Sequence, residues 1–119
     1  MKTKQLGDKG EVLVADYLKK EKFRIIARNY RQRNGEIDLI ASRDDMIVFV
    51  EVKARTHSSF DLSEVVSITK QKRIVACARH FIVEHKMYNS SYRFDVALLE
   101  NLQTEQIVYI KDAFAPYEL

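Results

Sequence analysis

The sequence has few of the residues that mark disulfide frameworks, disordered segments and membrane spans. It contains one cysteine, one proline and three glycines among 119 residues. A single cysteine excludes an intrachain disulfide and fits a reducing compartment, so we expect a cytoplasmic protein. No apolar run resembles a signal peptide or a transmembrane helix, so no membrane association is expected. With 46% hydrophobic and 31% charged residues, the chain is expected to fold as a single globular domain over residues 1–119.

Motifs for several common chemistries are also absent. The sequence has no glycine-rich phosphate loop, no nucleophile elbow and no zinc-type cluster. The histidines His57, His80 and His85 do not have the spacing of metal ligands. Only His57, which follows a charged strand, is placed to approach a substrate.

The positive charge of the chain is concentrated near its start. Residues 1–35 carry ten Lys/Arg against four Asp/Glu, whereas residues 36–119 carry ten against thirteen. A basic segment favours a polyanionic partner, because Lys and Arg that neutralise phosphates release counter-ions. A solvated basic surface without a partner explains the charge equally well.

The hydrophobic pattern predicts a helix, three strands, a second helix and two further strands. The predicted strands alternate in polarity and are separated by polar turns, and the helices carry apolar residues at helical spacing. The predicted elements are a helix over 5–21, strands over 23–30, 35–41 and 46–54, a helix from near Ser67 to His85, and strands over 92–100 and 106–114. Asp61 and Glu64 have the spacing of a capping box and offer an earlier start for the second helix. This order predicts an α/β or α+β domain with a central mixed β-sheet flanked by helices.

Four charges interrupt the second and third predicted strands. "GEIDLIA" carries Glu36 and Asp38, and "VFVEVKA" carries Glu51 and Lys53. Burying a charge is costly unless it is paired or binds a ligand. Side chains alternate along a strand, so the two charged residues of each strand point to the same face. The opposite, apolar faces comprise Ile37, Leu39 and Ala41 in one strand, and Val48, Val50, Val52 and Ala54 in the other.

The register of this hairpin decides which charges meet. If the turn pairs Ser42 with Ile47, Asp38 lies opposite Glu51, and Glu36 lies opposite Lys53. Two carboxylates facing each other should repel, so a positive group must compensate them.

Two interpretations of these charges remain open. One is a salt-bridge cluster of Lys53 with Glu36 and Arg55. The other is a Mg²⁺ or Mn²⁺ site in which Asp38 and Glu51 are ligands, and Glu11, from the inward stripe of the first helix, adds a third carboxylate. A metal-bound water is acidic enough to act as a nucleophile, and Lys53 would orient it or stabilise the charge that develops on a phosphate.

These residues resemble the signature of the PD-(D/E)xK nuclease superfamily, with Asp38 and "EVK" on the core strands. More closely, "GDKGEVLVADYL", "RNYRQRNGEIDLIA", "VFVEVKAR" and "RFDVALL" resemble the YraN-like family of bacterial proteins, over about Gly7 to Leu99. The layout is also similar to that of archaeal Holliday-junction resolvases. Two positions differ: Ile37 stands where the superfamily name has proline, and Asp61 stands where YraN-like proteins usually have glycine.

The resemblance implies a restriction-endonuclease-like fold with an α-β-β-β-α-β core. It implies catalytic roles for Glu11, Asp38, Glu51 and Lys53, and a metal held by the three acids. The implied activity is Mg²⁺- or Mn²⁺-dependent hydrolysis of DNA phosphodiester bonds, with branched DNA as a candidate substrate. Cutting a junction needs two active sites, so a homodimer is expected in that case. The alternative is a non-catalytic module on the same fold that binds nucleic acid or protein.

Further charged residues are candidates for contact with DNA. The candidates for phosphate binding are basic residues near the acids or at the start of the second helix: Arg31, Arg33, Arg55, Lys70, Lys72 and Arg73. A solvated turn explains the three residues Arg31, Arg33 and Arg55 equally well, whereas the charge run on the helix is more often a solvated face. Asp95 in "RFDV" shares a strand face with Arg93, and we expect it to support the structure rather than to react.

Overall fold

The computed structural model describes residues 3–33, 35–54, 66–101 and 106–115. They form two helices and five strands, in the order that the sequence predicts. The elements are α1 (Thr3–Lys20), β1 (Arg24–Gln32), β2 (Gly35–Arg43), β3 (Met46–Ala54), α2 (Ile68–Glu84), β4 (Ser91–Asn101) and β5 (Gln106–Phe114). The α/β class is confirmed, and the predicted bounds of the third and fifth strands coincide with β3 and β5.

The strands form one mixed sheet in the order β1-β2-β3-β4-β5. Neighbouring strands are antiparallel except β3 and β4, which are parallel. Parallel neighbours require a crossover connection, and here the crossover contains α2. A mixed sheet flanked by two helices is compatible with the expected restriction-endonuclease-like fold.

Each helix covers its own apolar core. On one side, α1 packs Val14 and Leu18 onto the sheet with Leu39 and its neighbours. On the other side, α2 packs onto a cluster that contains Phe49 and Phe94. Because alternate residues of β3 point to opposite sides, the central strand contributes to both cores. Within the described ranges, neither helix is long and apolar enough to cross a lipid bilayer.

The second helix begins where Ser67 caps it. Ser67 has extended backbone angles, and its Oγ accepts a hydrogen bond of 3.2 Å from the backbone N–H of Lys70. Asp61 and Glu64, the alternative capping box, lie outside the described residues. Cys77, the single cysteine, is buried in the apolar stripe of this helix.

The predicted register of the β2–β3 hairpin is confirmed near the turn. Ser42 pairs with Ile47, and the ladder continues to the pair Leu39–Val50. This register places Phe49 and Glu51 on the same face of β3, and it brings Asp38 of β2 close to Glu51 of β3. Both features were predicted from the sequence.

The predicted alternation along β2 is wrong at Ile37. This residue belongs to the core on the α2 side, together with Ile40, and not to the α1-side core that contains Leu39. In β1, Asn29 lies between the residues that pair with Leu39 and Ile37, and its φ of 51° is left-handed. A left-handed residue rotates the strand locally, so the paired stretch of β2 does not keep its simple two-residue period.

Candidate functional site

The centre of the candidate site is a carboxylate pair where the β2–β3 ladder ends. Beyond the pair Leu39–Val50, the Oδ2 atom of Asp38 accepts a hydrogen bond of 2.8 Å from the backbone N–H of Val52. The Asp38 side chain thus binds the backbone of β3 directly. Glu51 precedes Val52 on β3 and is 9% exposed. Strand β2 and strand β3 therefore bring two acids together at one end of their ladder, as the register predicts.

Burial raises the pKa of both acids, and the negative charge of Asp38 raises that of Glu51 further. The pKa of Glu51 is raised to about 8, first because the group is buried and next because Asp38 is negatively charged. Burial also raises the pKa of Asp38, although its hydrogen bond from Val52 opposes the shift. The two side chains hydrogen-bond each other, so near neutral pH the pair retains a proton that exposed carboxyl groups would have lost.

A lysine from α2 partly compensates the pair. The Nζ atom of Lys70 lies 3.1 Å from Oε1 of Glu51. This ammonium group lowers the pKa of Glu51 and so opposes the effect of burial. The sequence pointed to Lys70 only as part of a basic stripe, because the approach of a helix to a strand is set by packing between distant segments.

The two acids line a cleft between the sheet and the start of α2. The cleft has a volume of about 380 Å³. Its lining combines the acids with basic, hydroxyl and apolar groups: Gly35, Glu36, Asp38, Glu51, Ser67, Thr69, Lys70, Arg73 and Ile74. A solvent-connected cleft lined by mixed charges has room for a polar ligand such as a phosphate.

Gly35 is the residue that permits α2 to come this close. A Cβ atom added at Gly35 would lie 3.0 Å from the backbone oxygen of Arg73. The sequence carries a signal of this contact, since a glycine at the start of a strand often marks the approach of another backbone.

The helix acid Glu11 lies near the pair without completing a metal-binding group. Glu11 is partly buried on α1, and its pKa is raised by burial and by the charge of Asp38, against a side-chain hydrogen bond with Asn29. Asp38 and Glu11 are thus close enough to interact electrostatically. Among the described residues, however, no group of three or more His, Cys, Asp or Glu side chains has the arrangement that would hold a metal ion.

Lys53 follows Glu51 by two residues on β3, as the E-x-K spacing predicts. It is partly buried on β3 and pairs with Leu98 of β4 in the parallel ladder. Among the ion pairs of the described residues, the ammonium group that contacts Glu51 belongs to Lys70 and not to Lys53. The pairing of Glu36 with Lys53 is not seen either, because Glu36 forms an ion pair with Arg31, at 3.2 Å.

Three of the predicted basic residues line a groove that adjoins the cleft. Arg33, Lys72 and Arg73 line a second groove, and Arg73 and Thr69 line both the groove and the cleft. Arg55 and His57 lie outside the described residues. Basic side chains of α2 therefore lie both in the cleft and in the adjoining groove.

Asp95 belongs to a separate buried network. Both of its carboxylate oxygens accept hydrogen bonds from Arg93, with Nε–Oδ1 and Nη2–Oδ2 distances of 2.9 Å. The Tyr109 hydroxyl also donates to Oδ2, and the backbone N–H of Asp112 donates to Oδ1. With all of these donors inside the protein, Asp95 is a structural residue, which agrees with its expected role.

Comparison with known protein families identifies a close match over most of the chain. Residues 10–99 match the model of the family described as "Uncharacterised protein family UPF0102". A UPF0102 protein of Alkaliphilus metalliredigens is 41% identical over 113 residues, covering 94% of this chain and 99% of the relative. A UPF0102 protein of Treponema pallidum is 44% identical over 117 residues, covering 93% of each chain.

Proposed function

The chain belongs to the UPF0102 family, and we propose that it is a divalent-metal-dependent nuclease that hydrolyses DNA phosphodiester bonds. The observation that carries this proposal is the contact between the buried acid Glu51 and the partly buried Asp38, in an open cleft bordered by cations. A buried pair of like charges lowers stability unless a ligand compensates it. The PD-(D/E)xK resemblance of the same residues supports this reading.

The residues present fit a Mg²⁺ or Mn²⁺ ion. Both ions prefer carboxylate oxygens and often use only one or two of them, with waters in the remaining positions. Asp38 and Glu51 would hold the ion, which would replace the proton that the pair otherwise retains. Glu11 would add a third carboxylate after a shift toward the pair. The ion would supply an acidified water and stabilise negative charge on the phosphate.

The basic residues have distinct places in this proposal. Lys53 remains the candidate that orients the attacking water, on the strength of its place in the E-x-K motif. Arg33, Lys72 and Arg73 would bind phosphates next to the scissile one, because they line the groove that adjoins the cleft. Such contacts hold a nucleic acid in place without reading its sequence.

We expect selectivity for DNA shape rather than for a long base sequence. The chain has only 119 residues and thus offers little surface for reading bases, whereas branched DNA differs from duplex DNA in shape and deformability. Cutting a four-way junction symmetrically requires two active sites, so a homodimer with twofold symmetry belongs to the proposal. So does a cytoplasmic location, where Mg²⁺ and DNA would both be available in bacteria.

Cleavage of a DNA panel tests the proposal directly. Linear, nicked, flapped and four-way DNA, and a matched RNA duplex, are each incubated with the protein and Mg²⁺ or Mn²⁺. We expect cleavage of at least one DNA by the wild type and none by Asp38→Asn. Asp16→Asn is the matched control, because it makes the same chemical change on the exposed side of α1. Equal cleavage by Asp38→Asn and wild type would exclude the acid pair as the active site.

A non-catalytic binding module is the second candidate function. It is favoured by one observation, namely that Lys70 already neutralises part of the charge of Glu51 without a metal. If the protein only binds DNA, none of the panel is cut, but affinity still falls steeply with salt. Replacing Arg33 should then lower the slope of log affinity against log salt by roughly one unit. An affinity that does not respond to salt would instead indicate a protein partner.

A further inference from the structure

The ion pair between Lys70 and Glu51 joins two groups with very different access to solvent. The Lys70 side chain is 39% exposed, whereas the Glu51 side chain is 10% exposed. The ammonium group thus approaches a nearly buried carboxylate from the cleft, at 3.1 Å. It lies on the cleft side of the acid pair, because Lys70, Asp38 and Glu51 all line the same cleft.

A divalent cation and this ammonium group would compete for Glu51. Two positive groups cannot share one carboxylate at close range without strong repulsion. Lysine has a flexible four-carbon chain, and the exposure of Lys70 leaves space for it to rotate into the cleft. The backbone N–H of Lys70 is held separately by Ser67, so the start of α2 does not depend on where the ammonium group points.

We propose that Lys70 is an exchangeable counter-ion, which contacts Glu51 and balances the remaining negative charge of the acid pair in the free protein, and which turns to a substrate phosphate when a divalent cation binds the pair. This inference rests on the proposed function and assigns to Lys70 a role that the E-x-K motif does not contain. Arg73, one turn further along α2, lines the same cleft. The two side chains would therefore contact one phosphate, or adjacent phosphates, beside the acids.

The exchange makes an unusual prediction for a lysine at an active site. Removing Lys70 takes away a competitor of the cation, so Lys70→Met should bind Mn²⁺ more tightly than the wild type in the absence of DNA. We expect roughly a three- to tenfold gain, the effect of one partly screened charge a few ångströms away. The same variant should lose cleavage, because a phosphate contact is missing.

Mn²⁺ titration by calorimetry at pH 8.5 measures the first effect with little competition from protons. Lys72→Met is the matched control, since Lys72 is an exposed lysine on the same helix that lines the neighbouring groove instead of the cleft. Tighter Mn²⁺ binding by Lys70→Met, with no change in Lys72→Met, supports the exchange. Equal gains in both variants would reduce it to an effect of net charge, and an unchanged or weaker affinity in Lys70→Met would overturn it. If the wild type binds no Mn²⁺, the proposed nuclease function fails and the exchange fails with it.

The salt dependence of DNA binding tests where the ammonium group goes. The slope of log DNA affinity against log salt concentration is measured for wild type and Lys70→Met. Each protein is measured without metal and with Ca²⁺, under conditions in which a gel shows the DNA to be uncut. The exchange predicts equal slopes without metal, and a slope lower by about one unit in Lys70→Met with Ca²⁺. A lower slope in both conditions would show that Lys70 contacts phosphate whether or not a cation is bound, which overturns the exchange but leaves the nuclease proposal intact.

Discussion

Glu51→Gln should change how the stability of the protein depends on pH. The pKa of Glu51 is about 8 in the folded chain against 4.5 for the ordinary group. Between these values the folded state holds a proton that the unfolded state has released. Raising the pH through this window therefore lowers the free energy of unfolding, by up to roughly 1.4 kcal/mol per pH unit for one proton. The loss should reach a few kcal/mol and level off above about pH 8.

A glutamine at position 51 does not titrate, and its amide can still donate to Asp38. The stability of Glu51→Gln relative to wild type should thus increase steadily from pH 5 to pH 8. Urea unfolding at unit intervals of pH measures this difference. Glu36→Gln is the control, because Glu36 lines the same cleft but its side chain is 39% exposed. A difference between Glu51→Gln and wild type that stays constant with pH would refute the reasoning.

Three further substitutions test the structure around the site. Asp95→Asn leaves the partly buried Arg93 without its charged partner, and should lower the free energy of unfolding by about 3–5 kcal/mol in a urea titration. Gly35→Ala places a methyl group against the backbone of Arg73. It should lower the free energy of unfolding by about 1–3 kcal/mol, which a lower melting temperature would show. Ser67→Ala removes the cap of α2 and should lower the free energy of unfolding, measured in urea, by about 1 kcal/mol. Hydrogen exchange in the first turn of the helix should also become faster.

Strands β3 and β5 were predicted with their observed bounds because each is a local pattern with a clear end, whereas β1 continues to Gln32, beyond its predicted end at Tyr30. Met46–Ala54 follows a polar turn, and its apolar residues identify it without reference to the rest of the chain. The hairpin register also follows from local sequence, since the turn pairs Ser42 with Ile47. The approach of Asp38 to Glu51 is a direct consequence of that register.

The remaining features of the site depend on contacts between distant segments. Lys70 reaches Glu51 because α2 crosses the sheet beside Gly35, and no periodicity in the sequence specifies that crossing. The change in the side on which Ile37 packs occurs next to the left-handed backbone of Asn29 in the neighbouring strand, which local alternation does not reveal. Alternation predicts the face of a residue only while the strand keeps a regular twist.

The contact between Asp95 and the backbone of Asp112 has a consequence for association between copies of the protein. β5 forms one edge of the sheet, and an exposed edge strand is a template on which a second chain can add a strand and aggregate. Asp112 has a left-handed φ of 53°, and the pairing of β5 with β4 shifts between Phe94 and Val96. The left-handed residue and the register shift interrupt the regular course of this strand at the point where the N–H of Asp112 donates to Asp95. An irregularity of this kind makes an edge strand a poorer template for an added strand, so we expect it to disfavour edge-to-edge aggregation along β5.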